Sequence, residues 1–501
     1  MDIIYTAYQD LQLYSNDDIN LMAQYQDILY TTTVNDLRWL LAIKNTSQKA
    51  VMPNDLPEPA YIETLPQETI LQIFDNLDMA DILNACQTNV LWSNICKDKV
   101  LWKRLYEKDF PNAEKVKGSY YDSYIFKIAI KNGDADTVKR LLQDPGVDPA
   151  ADDNAAIRES SQYGHTAVVK LLLADGRADP TVWDNYAIRV SSELGHTDVV
   201  RLLLADGRAN PTALGNSALR LSSEYGHADV VQLLLADGRA DPTAGDNYAI
   251  QKSTKRGYTD VVKLLLADGR ANPAANDNFA IRWSIKNGHT DIVKLLLADG
   301  RADPANTNDY AICVSSENGH AEVVRLLLAD RRVDPAARAN GPIHVASQNG
   351  HADVVRLLLA DGRANPAAGT NHAIRVSVHN GHAQVVRLLL ADVRVDVTVL
   401  GNFSIRLASR KGHAEVVHVL LAHGRADPAD WHNYAIRASS SRGRTDVVRL
   451  LLADGRADPA ARDNSAIRES SRRGHTEVVR LLLADERVDP TASTKLCTLL
   501  A

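Results

Sequence analysis

Apolar positions along most of the chain fall into short helical registers separated by polar breaks. In one stretch, Ala187 and Ile188 open a run that continues through Ser191 and Ser192; beyond Gly195, Val199 pairs with Leu203 and Val200 with Leu204 at i,i+4 spacing. That spacing lays an apolar stripe along one side of a helix. The pattern predicts a short first helix near Tyr186 to Glu193 and a second near Thr197 to Ala205. The small serines of the first helix let its neighbours pack close.

The pattern then repeats. Glycine recurs at 133, 164, 195, 226, 257, 288, 319, 350, 381, 412, 443 and 474, twelve positions each 31 residues after the last. No unit replaces this glycine, which predicts a left-handed turn where a Cβ would clash. A later glycine, Gly207 in this unit, gives way to Arg331, Val393 and Glu486 elsewhere, so positive φ is not required there. Asparagine stands at 154, 185, 216, 247, 278, 340, 371, 402, 433 and 464, with Asp309 at the remaining equivalent, and its place before each first helix predicts an N-cap. Proline near the end of nearly every unit, from Pro180 to Pro490 with Val397 as the exception, blocks helix continuation.

A helix pair this short cannot bury its stripe alone, and stacking the units makes one core. The expectation is an all-α helical repeat solenoid of about 12 units over residues 123–495, offering an elongated surface rather than a pocket. Arginine recurs from Arg158 to Arg468 and aspartate from Asp175 to Asp485, read as an inter-repeat charge ladder that holds stacking register. Histidine follows the repeat glycine at 165, 196, 227, 289, 320, 351, 382, 413 and 475. Repeats about 10 Å apart leave each imidazole without co-ligands within about 2 Å of one metal, so these histidines read as structural. No metal and no cofactor is expected.

A binding stack keeps its packing positions alike and varies the rest. One variable loop position includes Trp183, Leu214, Arg338 and Trp431; a variable first-helix position includes Lys252 and Trp283. The position two before the repeat glycine also varies, with Glu193, Lys255, His379, Arg410 and Arg472 among its occupants.

The unit resembles the ankyrin repeat. AIRVSSELGHTDVVRLLLADG sits on that family's PLHxAAxxGHxxVVxLLLxxG, and GPIHVASQNGHADVVRLLLADG carries Pro342, Ile343 and His344 in the family's places. Most units have Ala-Ile-Arg instead of Pro-Leu-His, and their period is about two residues shorter than the usual one of about 33. The resemblance implies binding of a protein target along loop tips and the inner side of first helices. Trp183, Leu214, Lys252, Trp283, Arg338 and Trp431 are then the candidate target-binding residues, aromatic side chains being the commonest interface anchors.

The amino-terminal part has a different style. Residues 1–52 read as a partly helical extension around NDLRWLLAIK, 53–63 as a proline-rich linker and 106–122 as a connector; residues 496–501 read as a truncated carboxy-terminal cap. Residues 64–105 predict three short helices: one through Ile70, Leu71, Ile73, Phe74 and Leu77, a second through Ile82, Leu83 and Cys86, and a third toward Trp92 and Ile95, before LWKRLY. This segment resembles the F-box on its opening LPxExxLxIFxxLD. The resemblance implies contact with a Skp-type adaptor of a cullin ubiquitin ligase through Leu65, Pro66, Glu68, Ile70, Leu71, Ile73, Phe74, Leu77 and Trp102. An F-box ahead of an ankyrin array is similar to proteins of large DNA viruses of protists, and implies a ligase substrate receptor or a binding scaffold without ligase recruitment.

Charge and composition narrow this further. Residues 1–122 hold 18 acids against 10 bases and the rest 45 against 46, so the array lacks the basic stripe of a nucleic-acid binder. No signal-peptide pattern or membrane-length apolar run occurs, and four cysteines without metal or redox spacing fit a reducing compartment, the cytoplasm in the first place. Neither a G-x-x-x-x-G-K loop nor a nucleophile–base set is found, so no enzyme is expected.

Overall fold

The computed structural model describes Leu71, Phe74, Ile82, Cys86, residues 95–97, 99–111, 113–115 and 119–492. The expected extension 1–52, linker 53–63 and carboxy-terminal cap 496–501 lie outside these. Among the described residues the regular elements are helices, and no strand occurs. The chain is an all-α repeat solenoid with a non-repeat helical segment ahead of it.

Its contacts divide it into two bodies, one holding the described residues up to Ser191 with His196–Asn210, the other Ser192–Gly195 and everything from Pro211. In the first body, Lys99–Asp109 is a helix and the repeats begin with the helices Tyr120–Asn132 and Ala135–Leu142. Leu71, Phe74, Ile82, Ile95, Leu101, Trp102, Leu105, Tyr106 and Tyr124 form one buried cluster. Trp102 lies 4.7 Å from Tyr121 and 5.8 Å from Tyr124, ring centre to ring centre, and its indole N–H donates to the Cys96 carbonyl at 2.6 Å. The non-repeat helices and the first repeat therefore share a core.

Each later unit follows one plan, shown by residues 182–211. A first helix, bounded by Val182 and Glu193, leads through Gly195 to a second, Thr197–Asp206. Ala187, Ile188, Val199, Val200, Leu203 and Ala209 are buried, as are Ser191 and Ser192. The Ser191 hydroxyl donates back to the Ala187 carbonyl at 2.7 Å, which satisfies it inside its own helix. In the second body, one apolar cluster runs from Val262 to Val488, most units adding an Ala-Ile pair and a Val-Val-x-x-Leu stripe. Where the second glycine is present, it caps the helix in the left-handed region, as Gly207 does at φ +80°. Where it is missing, the second helix stops earlier, at Ala329, Leu390 and Leu483.

The expected N-cap is not what the asparagines form. Trp183, Asp184 and Asn185 all have left-handed φ and ψ, and the same three-residue left-handed turn precedes the right-handed helix in the units beginning at Asp152, Leu214, Gly245, Asn276, Arg338, Gly369, Leu400, Trp431 and Arg462. L-residues pay about 1–2 kcal/mol each for this region, least at Gly, Asn and Asp. The asparagine closes the turn, and its Oδ1 accepts the backbone N–H of the residue 25 positions on, as in Asn185 from Asn210 at 2.6 Å and Asn278 from Asp303 at 2.7 Å. Asp309 makes the same bond to the Asp334 amide at 2.9 Å. The side chain thus ties down the segment that follows the second helix, just before the recurring proline, instead of capping its own first helix.

Candidate functional site

Three polar links recur along the array, and they account for the residues that never or rarely vary. The first is the forward asparagine bond. The second is the histidine: Nε2 of His165, His196, His227, His289, His320, His351, His382, His413 and His475 lies 2.8–3.3 Å from the carbonyl oxygen 34 residues earlier. A carbonyl only accepts, so Nε2 carries the proton. The imidazole ring covers the preceding unit's glycine, where an added Cβ would stand 2.5–2.9 Å from its nearest ring atom. These glycines also sit at φ between +66° and +87°, so conformation and space both demand them.

The third link corrects the expected charge ladder. Asp175 does not pair with the Arg158 series; it is held bidentately by Arg177, two residues on, at 2.7 and 2.8 Å. The same Asp-x-Arg pair recurs through Asp485 and Arg487. With its remaining nitrogen the arginine donates to a carbonyl of the previous unit, as Arg208 does to Ala178 at 2.9 Å and Arg301 to Ala271 at 2.8 Å. The hydrogen-bonded guanidinium holds the carboxyl below its usual range in Asp206, Asp268 and Asp361, among others. The Arg158 series instead caps the left-handed turn of its own unit: Arg158 donates to the Asp153 and Asp152 carbonyls at 2.9 and 3.0 Å, and Arg406 to those of Gly401 and Leu400 at 2.7 and 2.8 Å. Two residue series that share a sequence period thus serve different turns.

With the framework residues engaged, the variable positions remain at the surface. Trp183, Leu214 and Trp431 are the first residues of left-handed turns and are 54%, 53% and 59% exposed. The guanidinium of Arg158 lies 3.7 Å from the Trp183 ring centre and that of Arg406 lies 3.9 Å from Trp431, so each indole is stacked on one face. Arg338 occupies the same turn position, is exposed, and lies 5.7 Å from the Tyr310 ring. Lys252 and Trp283 stand on first helices and are half-buried. Lys252 reaches Glu224 at 4.0 Å and the Tyr248 ring at 4.9 Å. Trp283 has two ammonium groups, Lys255 and Lys286, each 4.7 Å from its ring. Arg282, Trp283, Lys286, Tyr310 and Arg338 line a shallow groove of about 260 Å³. The structure brings Trp283 and Arg338 together there; Lys255, Lys286 and Tyr310 were missed as site residues, although Lys255 stood at a position whose variability the sequence displays.

Of the residues proposed for the adaptor, Leu65, Pro66, Glu68, Ile70, Ile73 and Leu77 lie outside the described residues. Leu71, Phe74 and Trp102 are buried in the cluster shared with the first repeat, where they hold helices together rather than offering surface. Cys86 and Cys96 are joined as a disulfide, a pairing their spacing had not suggested. The half-buried Cys313 is free, and its partial burial pushes the thiol up to about 11. No group of three or more metal-ligating side chains occurs among the described residues, and no helix there is long and apolar enough to cross a membrane.

A family model of three-copy ankyrin repeats matches residues 126–205, 161–246, 238–309, 282–368, 311–400, 343–430 and 405–494. The chain belongs to the ankyrin-repeat family. Ahead of its ankyrin repeats, residues 62–108 match the F-box-like family, and the helix Lys99–Asp109 falls at the end of that match. No curated protein matches the chain. Ankyrin repeats and F-box-like segments are both interaction modules, and this ankyrin chain combines them.

Proposed function

We propose that the chain is a substrate-recognition subunit of a Skp/cullin/F-box ubiquitin ligase, with the ankyrin array holding the target. The observation that carries this reading is the F-box-like match over residues 62–108 directly ahead of the array. Leu65, Pro66, Glu68, Ile70, Ile73 and Leu77 supply the adaptor contact, on a scaffold that Leu71, Phe74 and Trp102 stabilise from within. Trp183, Leu214, Lys252, Trp283, Arg338 and Trp431 supply target contacts, since they are free of the three links that fix the stack. Catalysis belongs to the rest of the ligase. The cytoplasm is the compartment this role needs, and its reducing poise would keep Cys86 and Cys96 as thiols.

A second reading makes the amino-terminal helices a lid for the array and the chain a scaffold or decoy. The packing of Trp102 on Tyr121 and Tyr124 favours it, because an end repeat needs its apolar side covered. A pull-down with a purified Skp-type adaptor separates the two. Capture by the wild-type chain and loss in Leu65→Ala/Pro66→Ala supports the receptor; no capture by either leaves the scaffold.

A further inference from the structure

The units differ in how they treat the position two before the repeat glycine, and the difference identifies what one part of the surface is built to take. At Glu224 the chain supplies its own anion. The carboxylate accepts from the Tyr248 hydroxyl, pairs with Arg256 at 2.8 Å and lies 4.0 Å from Lys252. One acid thus serves two cations and accepts from an aromatic hydroxyl. In the next two units the equivalent residues are Lys255 and Lys286. The acid has been replaced by a base twice in succession: Trp283, which stands where Lys252 does one unit earlier, lies 4.7 Å from each ammonium group, and Tyr310, the counterpart of Tyr248, lines with Lys286 the groove that also holds Arg282 and Arg338.

Among the described residues neither Lys255 nor Lys286 has a carboxylate partner, and both are exposed. The first helices Ala244–Arg256 and Ala275–Lys286 carry Lys252, Lys255, Arg256, Arg282 and Lys286 against Asp246 and Asp277. Both acids lie in the left-handed turns. Asp309, from the following unit, is tied to the Asp334 amide. Each ammonium gains only a modest cation–π attraction from the half-buried indole. A carboxylate beside either one would supply the ion pair that no described acid provides.

We infer that the groove lined by Trp283, Lys286, Tyr310 and Arg338, with Lys255 beside the indole, docks an acidic peptide segment of the target, its carboxylates meeting cations where the preceding unit supplies Glu224 from within the chain. The indole packs against the apolar part of the segment, while the lysines and Arg338 pair with its acids and set its register. This rests on the reading that the ankyrin array captures a protein target.

The test uses the full chain and a fluorescent peptide of alternating glutamate and leucine, followed by anisotropy at about 150 mM salt, where only close pairs escape screening. The wild type is expected to bind, with the affinity falling as salt rises. Lys255→Glu/Lys286→Glu should weaken binding at least about tenfold, as loss of paired charges at an interface does, and Trp283→Ala should weaken it as well. The charge reversals remove no ion pair, so the melting temperature of that variant should match the wild type and show that folding is intact. The peptide with glutamine for glutamate should not bind. Equal binding by the double variant, no binding by the wild type, or tighter binding of a single-stranded oligonucleotide than of the peptide would each overturn the inference. The adaptor pull-down reads a different segment, so its failure and the failure of this groove are told apart directly.

Discussion

Nε2 of His351 lies 2.8 Å from the carbonyl oxygen of Glu317, and the same ring fills the space that a methyl group on Gly319 would need. One side chain thereby ties its unit to the previous one and forbids a Cβ at the previous turn. The relationship recurs with His165 over Gly133, His382 over Gly350 and His475 over Gly443. At Gly226 and Gly412 the covering residue is Tyr258 and Arg444. The space is filled whether the covering group is an imidazole, a phenol ring or an arginine chain, so the crowding at these turns is not a property of imidazole.

Two substitutions separate the conformational from the steric demand. Gly474 has φ +75° with nothing within 4 Å of an added Cβ, whereas at Gly319, with φ +76°, the His351 ring would stand at 2.6 Å. Gly474→Ala is expected to cost about 1–2 kcal/mol, the left-handed penalty alone. Gly319→Ala should cost about 1–3 kcal/mol more through overpacking. Urea titration reads both, and the excess should shrink when His351→Ala is added. Equal costs at the two glycines would mean that the ring does not crowd the turn.

The forward asparagine bond predicts a graded series at a single site. Asn278 is buried and its Oδ1 accepts the Asp303 amide. Asn278→Ala leaves that amide unpaired and should destabilise the array by about 1–3 kcal/mol. Asn278→Asp keeps an acceptor and should lose less, because Asp309 performs this role in the next unit. Thermal melting of the three proteins at neutral pH checks the order.

The Asp-x-Arg pairs predict a direction with pH. Hydrogen bonding to arginine lowers the carboxyl pKa in Asp175, Asp206, Asp299 and Asp485, among others. A folded pKa below the unfolded one gives stability that is complete above the unfolded value, about 3.9. That stability is lost as pH falls through the folded value. Glu159 and Asp309, both raised by burial, act in the opposite sense. The pairs outnumber them, so the denaturation midpoint should fall below about pH 4, and Asp299→Asn should flatten the fall. A midpoint that rose on acidification would contradict the pairing.

The Cys86–Cys96 bond predicts a thiol count. Titration of the unfolded, unreduced protein should reveal two thiols fewer than after reduction, and Cys86→Ser/Cys96→Ser should abolish the difference. If the wild type showed no difference, the two sulfurs would be free in the isolated protein.

Periodicity was sufficient for the architecture. The spacing of Val199, Val200 and Leu203, the repeat glycine and the recurring proline determine two short helices per unit, because local geometry and an unburied stripe leave no other arrangement than stacking. The histidines were legible as framework for the same reason. What the sequence could not reveal is which recurring polar groups meet. Asn185 and Asn210 are 25 residues apart, His351 and Glu317 are 34, and only the stack sets the distance between them. The asparagine was accordingly misread as a local cap, and Arg158 was linked with Asp175, although one serves its own turn and the other binds Arg177. The groove at Trp283 shows the same limit: Lys255 belongs to the previous unit, and its place over the indole follows from the packing of neighbouring helices, a distance that no window along the chain can measure.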